Sequence, residues 1–258
     1  MLMGLIMHNN HNNKLQIKRA SLKSSIGWLI EAGKILFKSP VNFMLVSLPF
    51  LFCFIIVLAL NSYYYNNNYG IAIATFVMSL VFPFTISAIS NAYRQYNHNN
   101  RIKLLDVYLA IFKSSNLRLI LVYVLLVMFF SFASNYLFSI FEIVDNMVGY
   151  IVQLVFILFQ FVILLAIPAG MYTGYQMKPF KMIFISLKAM MINIVSCVIF
   201  IIIVFMILIL AILIAKYLAI LVGKFAIGIY LIELWVFVTW LCLGAVAMSK
   251  EIFDLDVN

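Results

Sequence analysis

The sequence predicts an all-α protein: a polytopic transmembrane six-helix bundle built from three repeats of an amphipathic surface helix followed by two spans. Three observations predict it. The chain is 66% hydrophobic and 10% charged, with a mean hydropathy of +1.14, a composition that cannot cover a water-facing surface. Six apolar runs of about 20 residues follow one another, each long enough to cross a hydrocarbon core of ~30 Å as a helix. The basic residues fall in alternate connections, as retention on one side of a membrane requires. No large water-soluble domain fits in what remains, which excludes an ordinary globular enzyme.

Residues 1–21 read as a polar leader expected to be disordered, and 22–258 as one integral membrane domain. Met1–Met7 is apolar but short, without a preceding basic region or a cleavage-site pattern, so it does not read as a secretory signal. The tracts His8–Asn13, Asn66–Asn68 and Asn97–Asn100 are low-complexity polar loop filler. They contain His8, His11 and His98, the only histidines, and flexible tracts without acidic or thiol neighbours do not preorganise a metal.

The spans are Val41–Leu60, Gly70–Ala92, Leu119–Phe141, Val148–Met177, Met191–Ala215 and Phe225–Met248, and only the last contains a charge, Glu233. Every Lys and Arg except Lys216 and Lys224 lies before span one, before spans three and five, or in the tail. The positive-inside bias therefore puts both termini in the cytoplasm. The same distribution accounts for the net charge of +9 without a basic groove, and argues against nucleic acid as a partner.

Lys38, Lys113 and Lys188 are 75 residues apart, each followed by an apolar span, a short loop and a second span. Such self-similarity indicates one supersecondary unit used three times, over 22–96, 97–177 and 178–250, with 251–258 as a short acidic tail. The segment before each lysine is amphipathic. Leu22, Ile26, Leu29, Ile30, Gly33, Leu36 and Phe37 share one helical face, with Lys23, Glu31, Lys34 and Lys38 opposite. Leu105, Tyr108, Leu109 and Phe112 repeat the pattern, as do Phe180, Ile183, Phe184 and Leu187. These helices suit the cytoplasmic interface, with Lys34, Lys38, Lys113 and Lys188 among anionic head groups and Trp28 inserted at head-group level. Ser39-Pro40 breaks the first surface helix from its span.

The even-numbered spans carry small residues four apart: Ala88 and Ala92, Gly170 and Gly174, Ala245 and Ser249. This spacing lets helix backbones approach in lipid. Pro83 and Pro168 predict kinks. Two spans per unit make the repeats parallel, giving approximate threefold symmetry about the membrane normal rather than an inverted repeat. Mitochondrial carriers also use three two-span repeats, but their Pro-x-acid-x-x-basic signature is absent: Val41 and Asn42 follow Pro40.

Ser25–Pro40 carries a Gly-Trp, Glu-x-Gly, Leu-Phe and Pro series before the first span. It resembles the opening of the YciC-like bacterial inner-membrane proteins. The repeated pairs with surface helices are similar to those proteins and to the membrane domain of some glycerophosphodiester phosphodiesterases. The resemblance implies a bacterial inner membrane. The phosphodiesterase catalytic barrel has no counterpart in this sequence, so no enzymatic residue carries over.

No GxSxG, HExxH, P-loop or GxGxxG motif is present, and no span holds paired carboxylates, so neither catalysis nor a cofactor is expected. Cys53, Cys197 and Cys242 lack metal or disulfide spacing and read as small buried hydrophobes. Glu233 lies about 12 Å into span six, where a carboxylate needs a partner, water or a proton. One reading joins it with Gln160, helped by Gln153 on the same helix face, in an intramembrane polar site of a transporter or channel. The favoured reading pairs it with Lys216 or Lys224. The leading functional expectation is a non-catalytic structural or regulatory membrane component, with anionic lipid or a membrane-protein partner at its basic face. The third is a lipid-handling protein, which a side opening lined by Phe and Leu would favour.

Overall fold

A computed structural model of the chain describes residues 17–63, 68–112, 117–126, 128–129, 166–170, 178–223 and 226–253. Among the described residues every regular element is a helix. They include α1 (Ser24–Lys38), α2 (Pro40–Tyr63), α3 (Asn68–Asn99), α4 (Leu104–Ile111), α5 (Leu117–Leu126), α6 (Pro179–Ile192), α7 (Ile194–Val222) and α8 (Ala226–Ile252), and residues 166–170 are also helical. Three of these are long and apolar enough to cross a membrane, over Pro40–Leu60, Ile194–Leu218 and Ala226–Ile252. They coincide with expected spans one, five and six to within a few residues. The greater part of spans three and four lies outside the described residues.

Helix α8 is the hub, packing on α1, α2, α3 and α7, while α2 and α3 lie along each other and α4 folds against α3. Small residues make this possible. Gly244 brings α8 against its neighbours: a Cβ there would sit 3.4 Å from the Phe200 ring and 3.6 Å from Leu29. Ala88, Ala92 and Ala245 are all buried in one core with Cys242 and Val246. Ala169 belongs to a second buried cluster with Trp28, Phe200 and Met248, and Gly170 beside it is also buried; Gly174 lies outside the described residues.

Helix α1 has three faces rather than two. Leu22, Ile26, Ile30 and Phe37 are exposed, Lys23, Lys34 and Lys38 form an exposed polar stripe, and Trp28, Leu29, Ala32, Ile35 and Leu36 are buried. Leu29 and Leu36 therefore leave the face shared with Leu22 and turn towards the protein. Trp28 corrects the expectation of head-group insertion: it is 1% exposed, its ring is 5.9 Å from that of Phe200, and its indole N–H donates to Glu251. The indole is taken up because α1 lies on α7 and α8 rather than on lipid alone.

Three loop assignments are also corrected. Residues 17–21, expected in the disordered leader, are tied down: Lys18 N–H donates to Ile252 O and Ala20 N–H to Asn193 Oδ1. Asn97–Asn99 form the last turn of α3, which stops where Asn100 adopts a left-handed φ of 51° and donates its N–H to Tyr96 O. Asparagine tolerates that conformation better than most residues. Glu251 and Ile252 belong to α8 rather than to an acidic tail, and Phe253 is buried.

The 75-residue lysine period does not carry over to the helix breaks. Lys38 is the last residue of α1, whereas Lys188 sits inside α6, which runs on to Ile192. The first break is set by Pro40, which brings no N–H to the preceding turn; the third copy lacks proline, and its helix continues until Asn193.

Candidate functional site

Four local arrangements stand out, and the first is a polar clasp at the lysine-rich end. Glu251 accepts Ser24 Oγ–H on one oxygen and the Trp28 indole N–H on the other, both at 2.6 Å, joining α1 to the end of α8. Asn193 uses all of its amide: Oδ1 accepts Ala20 N–H at 2.6 Å, and Nδ2 donates to Lys18 O and Ala189 O. Ser25 donates to Ser196 O, and Trp240 Nε1–H donates to Leu29 O at 3.0 Å. Side-chain amides, hydroxyls and indoles thus tie the segment 18–29 to Asn193, α7 and α8 through matched donors and acceptors.

The second is a hydroxyl pair inside the bundle. Ser47 on α2 and Thr239 on α8 are fully buried and share a 2.6 Å hydrogen bond, while Trp235 Nε1–H donates to Ser47 Oγ at 2.8 Å. Trp235 therefore bridges α8 to α2.

The third is Glu233. It is half-buried on α8 against Leu208, Ala211 and Ile212 of α7, beside a void of about 20 Å³. Its Oε2 is buried without a hydrogen-bond partner. Lys216, one of its two expected partners, is exposed on α7, one turn beyond Ile212. Lys224, Gln153 and Gln160 lie outside the described residues.

The fourth is a cavity of about 260 Å³ between α2, α3 and α4. Tyr108 of α4 reaches over it and donates to Val46 O at 2.7 Å, tying the short helix to α2. Burial pushes the Tyr108 phenol up from its ordinary value, because the charged form would lose its hydration. Val46 O is one residue past the carbonyl that Pro49 leaves without an α-helical N–H.

Among the expected anchors, Lys34, Lys38 and Lys188 are exposed, and Lys113 lies outside the described residues. Residues that sequence reasoning passed over are Ser47, Thr239, Asn193 and Glu251, and Tyr108 reads in the sequence only as part of an apolar face. Two of them had a signal: Asn193 is a lone amide at the head of an apolar run, and Thr239 stands one helical turn from Trp235. Among the described residues no cluster of His, Cys, Asp or Glu could hold a metal.

Among the described residues the chain is helical, with three helices long and apolar enough to cross a membrane and a polar clasp at its lysine-rich end. Comparison with protein-family models, with curated proteins and with solved structures finds no match.

Proposed function

We propose that this chain is a non-catalytic structural or regulatory component of a bacterial inner membrane, with six spans and both termini in the cytoplasm. Its short helices α1, α4 and α6 lie in the inner leaflet and hold anionic lipid. The observation that carries this reading is the surface of those helices. Leu22, Ile26, Ile30 and Phe37 are exposed on the segment that carries exposed Lys23, Lys34 and Lys38, Leu105 and Leu109 on the helix that Lys103 precedes, and Phe180 and Phe184 on the helix that carries Lys181 and Lys188. Apolar side chains of that size with lysines alongside suit the boundary between head groups and acyl chains. The charge asymmetry and the resemblance to YciC-like proteins support the bacterial inner membrane and the sidedness.

Each lysine near an anionic surface contributes about 1 kcal/mol, so replacing Lys34, Lys38 and Lys188 by Gln should lower preference for phosphatidylglycerol over phosphatidylethanolamine by at least about tenfold. Native mass spectrometry of protein released from mixed nanodiscs reads that ratio. An unchanged ratio in the triple variant would remove the anionic-lipid role.

A further inference from the structure

The cavity between α2, α3 and α4 has a buried floor of Val46, Thr85, Ala88 and Ile111, and a mouth flanked by exposed Pro49 and Phe112. Its lining offers a ligand no charge and no free hydroxyl. Thr85 donates to Val81 O at 2.9 Å, and Tyr108 donates to Val46 O. A polar molecule entering here would lose hydration with nothing to replace it. Ordered water is disfavoured for the same reason, since a buried water needs two to four polar partners.

The mouth continues into an apolar exterior. Phe52, one turn along α2 from Pro49, is 58% exposed, and Leu109, one turn back along α4 from Phe112, is 57% exposed. Along α2 the lining runs from Val46 to Cys53 and along α3 from Leu80 to Ala88, a cleft about 10 to 12 Å long by the helical rise. That is about a third of a ~30 Å hydrocarbon core, beginning under the interfacial helix. The ring of Phe112 meets that of Phe84 at 6.3 Å, narrowing one side of the opening.

We propose that this cavity is a binding site for one acyl chain of a membrane phospholipid, with α4 as its roof. The site rests on the membrane-embedded reading above, and the occupant is set by an apolar, half-enclosed cleft whose hydroxyls are already bonded to backbone.

The test uses the full-length protein in nanodiscs containing a phospholipid with a diazirine in its acyl chain, with adducts mapped by mass spectrometry after photolysis and detergent washing. Adducts are expected on Cys53, Phe84 and Phe112 above the level on the exposed α7 residues Phe205 and Met206. Cys53→Phe narrows the cleft from its half-exposed wall, and Leu80→Phe narrows it from α3. Either variant should cut lining adducts about tenfold, equivalent to ~1.4 kcal/mol, and leave the α7 adducts unchanged. Lining adducts no stronger than those on α7, or unaltered in both variants, would overturn the acyl-chain site while the membrane reading stood. Absence of adducts on α7 as well would overturn both. Labelling of the lining by a diazirine fatty acid but not by the phospholipid would overturn the choice of occupant.

Discussion

The two halves of α8 occupy different worlds. From Val238 to Ser249 every side chain is buried except Trp240 and Leu241, which are half-buried. From Ala226 to Phe237 none is buried, and Ile227, Ile232 and Val236 are exposed. The buried half carries Gly244, Ala245, Ala247 and Ser249, and it ends in the Glu251 clasp. The exposed half is built of larger apolar residues and holds Glu233, whose Oε2 is buried without a hydrogen-bond partner. In lipid, apolarity alone does not draw helices together, so small residues and hydrogen bonds decide where a span touches protein. Helix α7 makes the point again: its apolar stretch is 11% buried, against 50% for α8.

The sharpest way to break this contrast is at Trp28. Trp28→Ala removes a ring packed on Phe200 and strips one donor from Glu251. Losses for buried Trp→Ala are about 3–5 kcal/mol. Unfolding can be followed through the thiols of Cys197 and Cys242, both buried, with a fluorogenic maleimide during heating in detergent. The transition should fall by about 10 °C, whereas Tyr217→Ala, at a residue 72% exposed on α7, should move it by less than about 2 °C. Equal shifts would mean that stability is not concentrated at the basic end.

A smaller effect is expected at the midpoint of the contrast, where Ser47 joins Thr239 and Trp235. Ser47→Ala removes both interhelical bonds without changing volume much. Hydrogen bonds between membrane helices average about 0.6 kcal/mol and reach about 1.7, so a drop of ~2–4 °C in the same assay is expected. No drop would show that packing of α2 on α8 suffices without the hydroxyl pair.

How much of this could be read in the sequence follows from the same physics. Apolar length located α2, α7 and α8, because backbone satisfaction in lipid leaves a long uncharged run little choice but helix. Rotation about the helix axis was less legible. In α1 the apolar residues cover two faces, and composition cannot tell the face that meets lipid, with Ile26 and Phe37, from the face that meets protein, with Trp28 and Ile35. The clasp was harder still: Glu251 is far from Ser24 and Trp28 in sequence, and no local pattern marks the meeting. Repetition of Lys38 at Lys188 suggested a common break point, but proline sets one break and the Asn193 amide the other. The cavity depends on Tyr108 leaning across to Val46, a tertiary contact without a sequence signature.

The smallest effect belongs to Glu233, and it bears on the loosely packed half. A carboxylate held in an ion pair or polar network costs several kcal/mol when its partner is stranded, whereas one without a partner can be replaced by an apolar residue at no loss. Oε2 has no hydrogen-bond partner, and besides Tyr230 the adjoining void is lined by apolar side chains, among them Leu208, Ile212, Leu234 and Phe237. Glu233→Leu should therefore leave the thiol-monitored transition unchanged or raise it by about 1–3 °C, since apolar replacement removes the cost of keeping a carboxyl group in hydrocarbon. A fall as large as that of Ser47→Ala would mean that this carboxylate is engaged by another group, and the two halves of α8 would then differ in the kind of their contacts rather than in whether they have them.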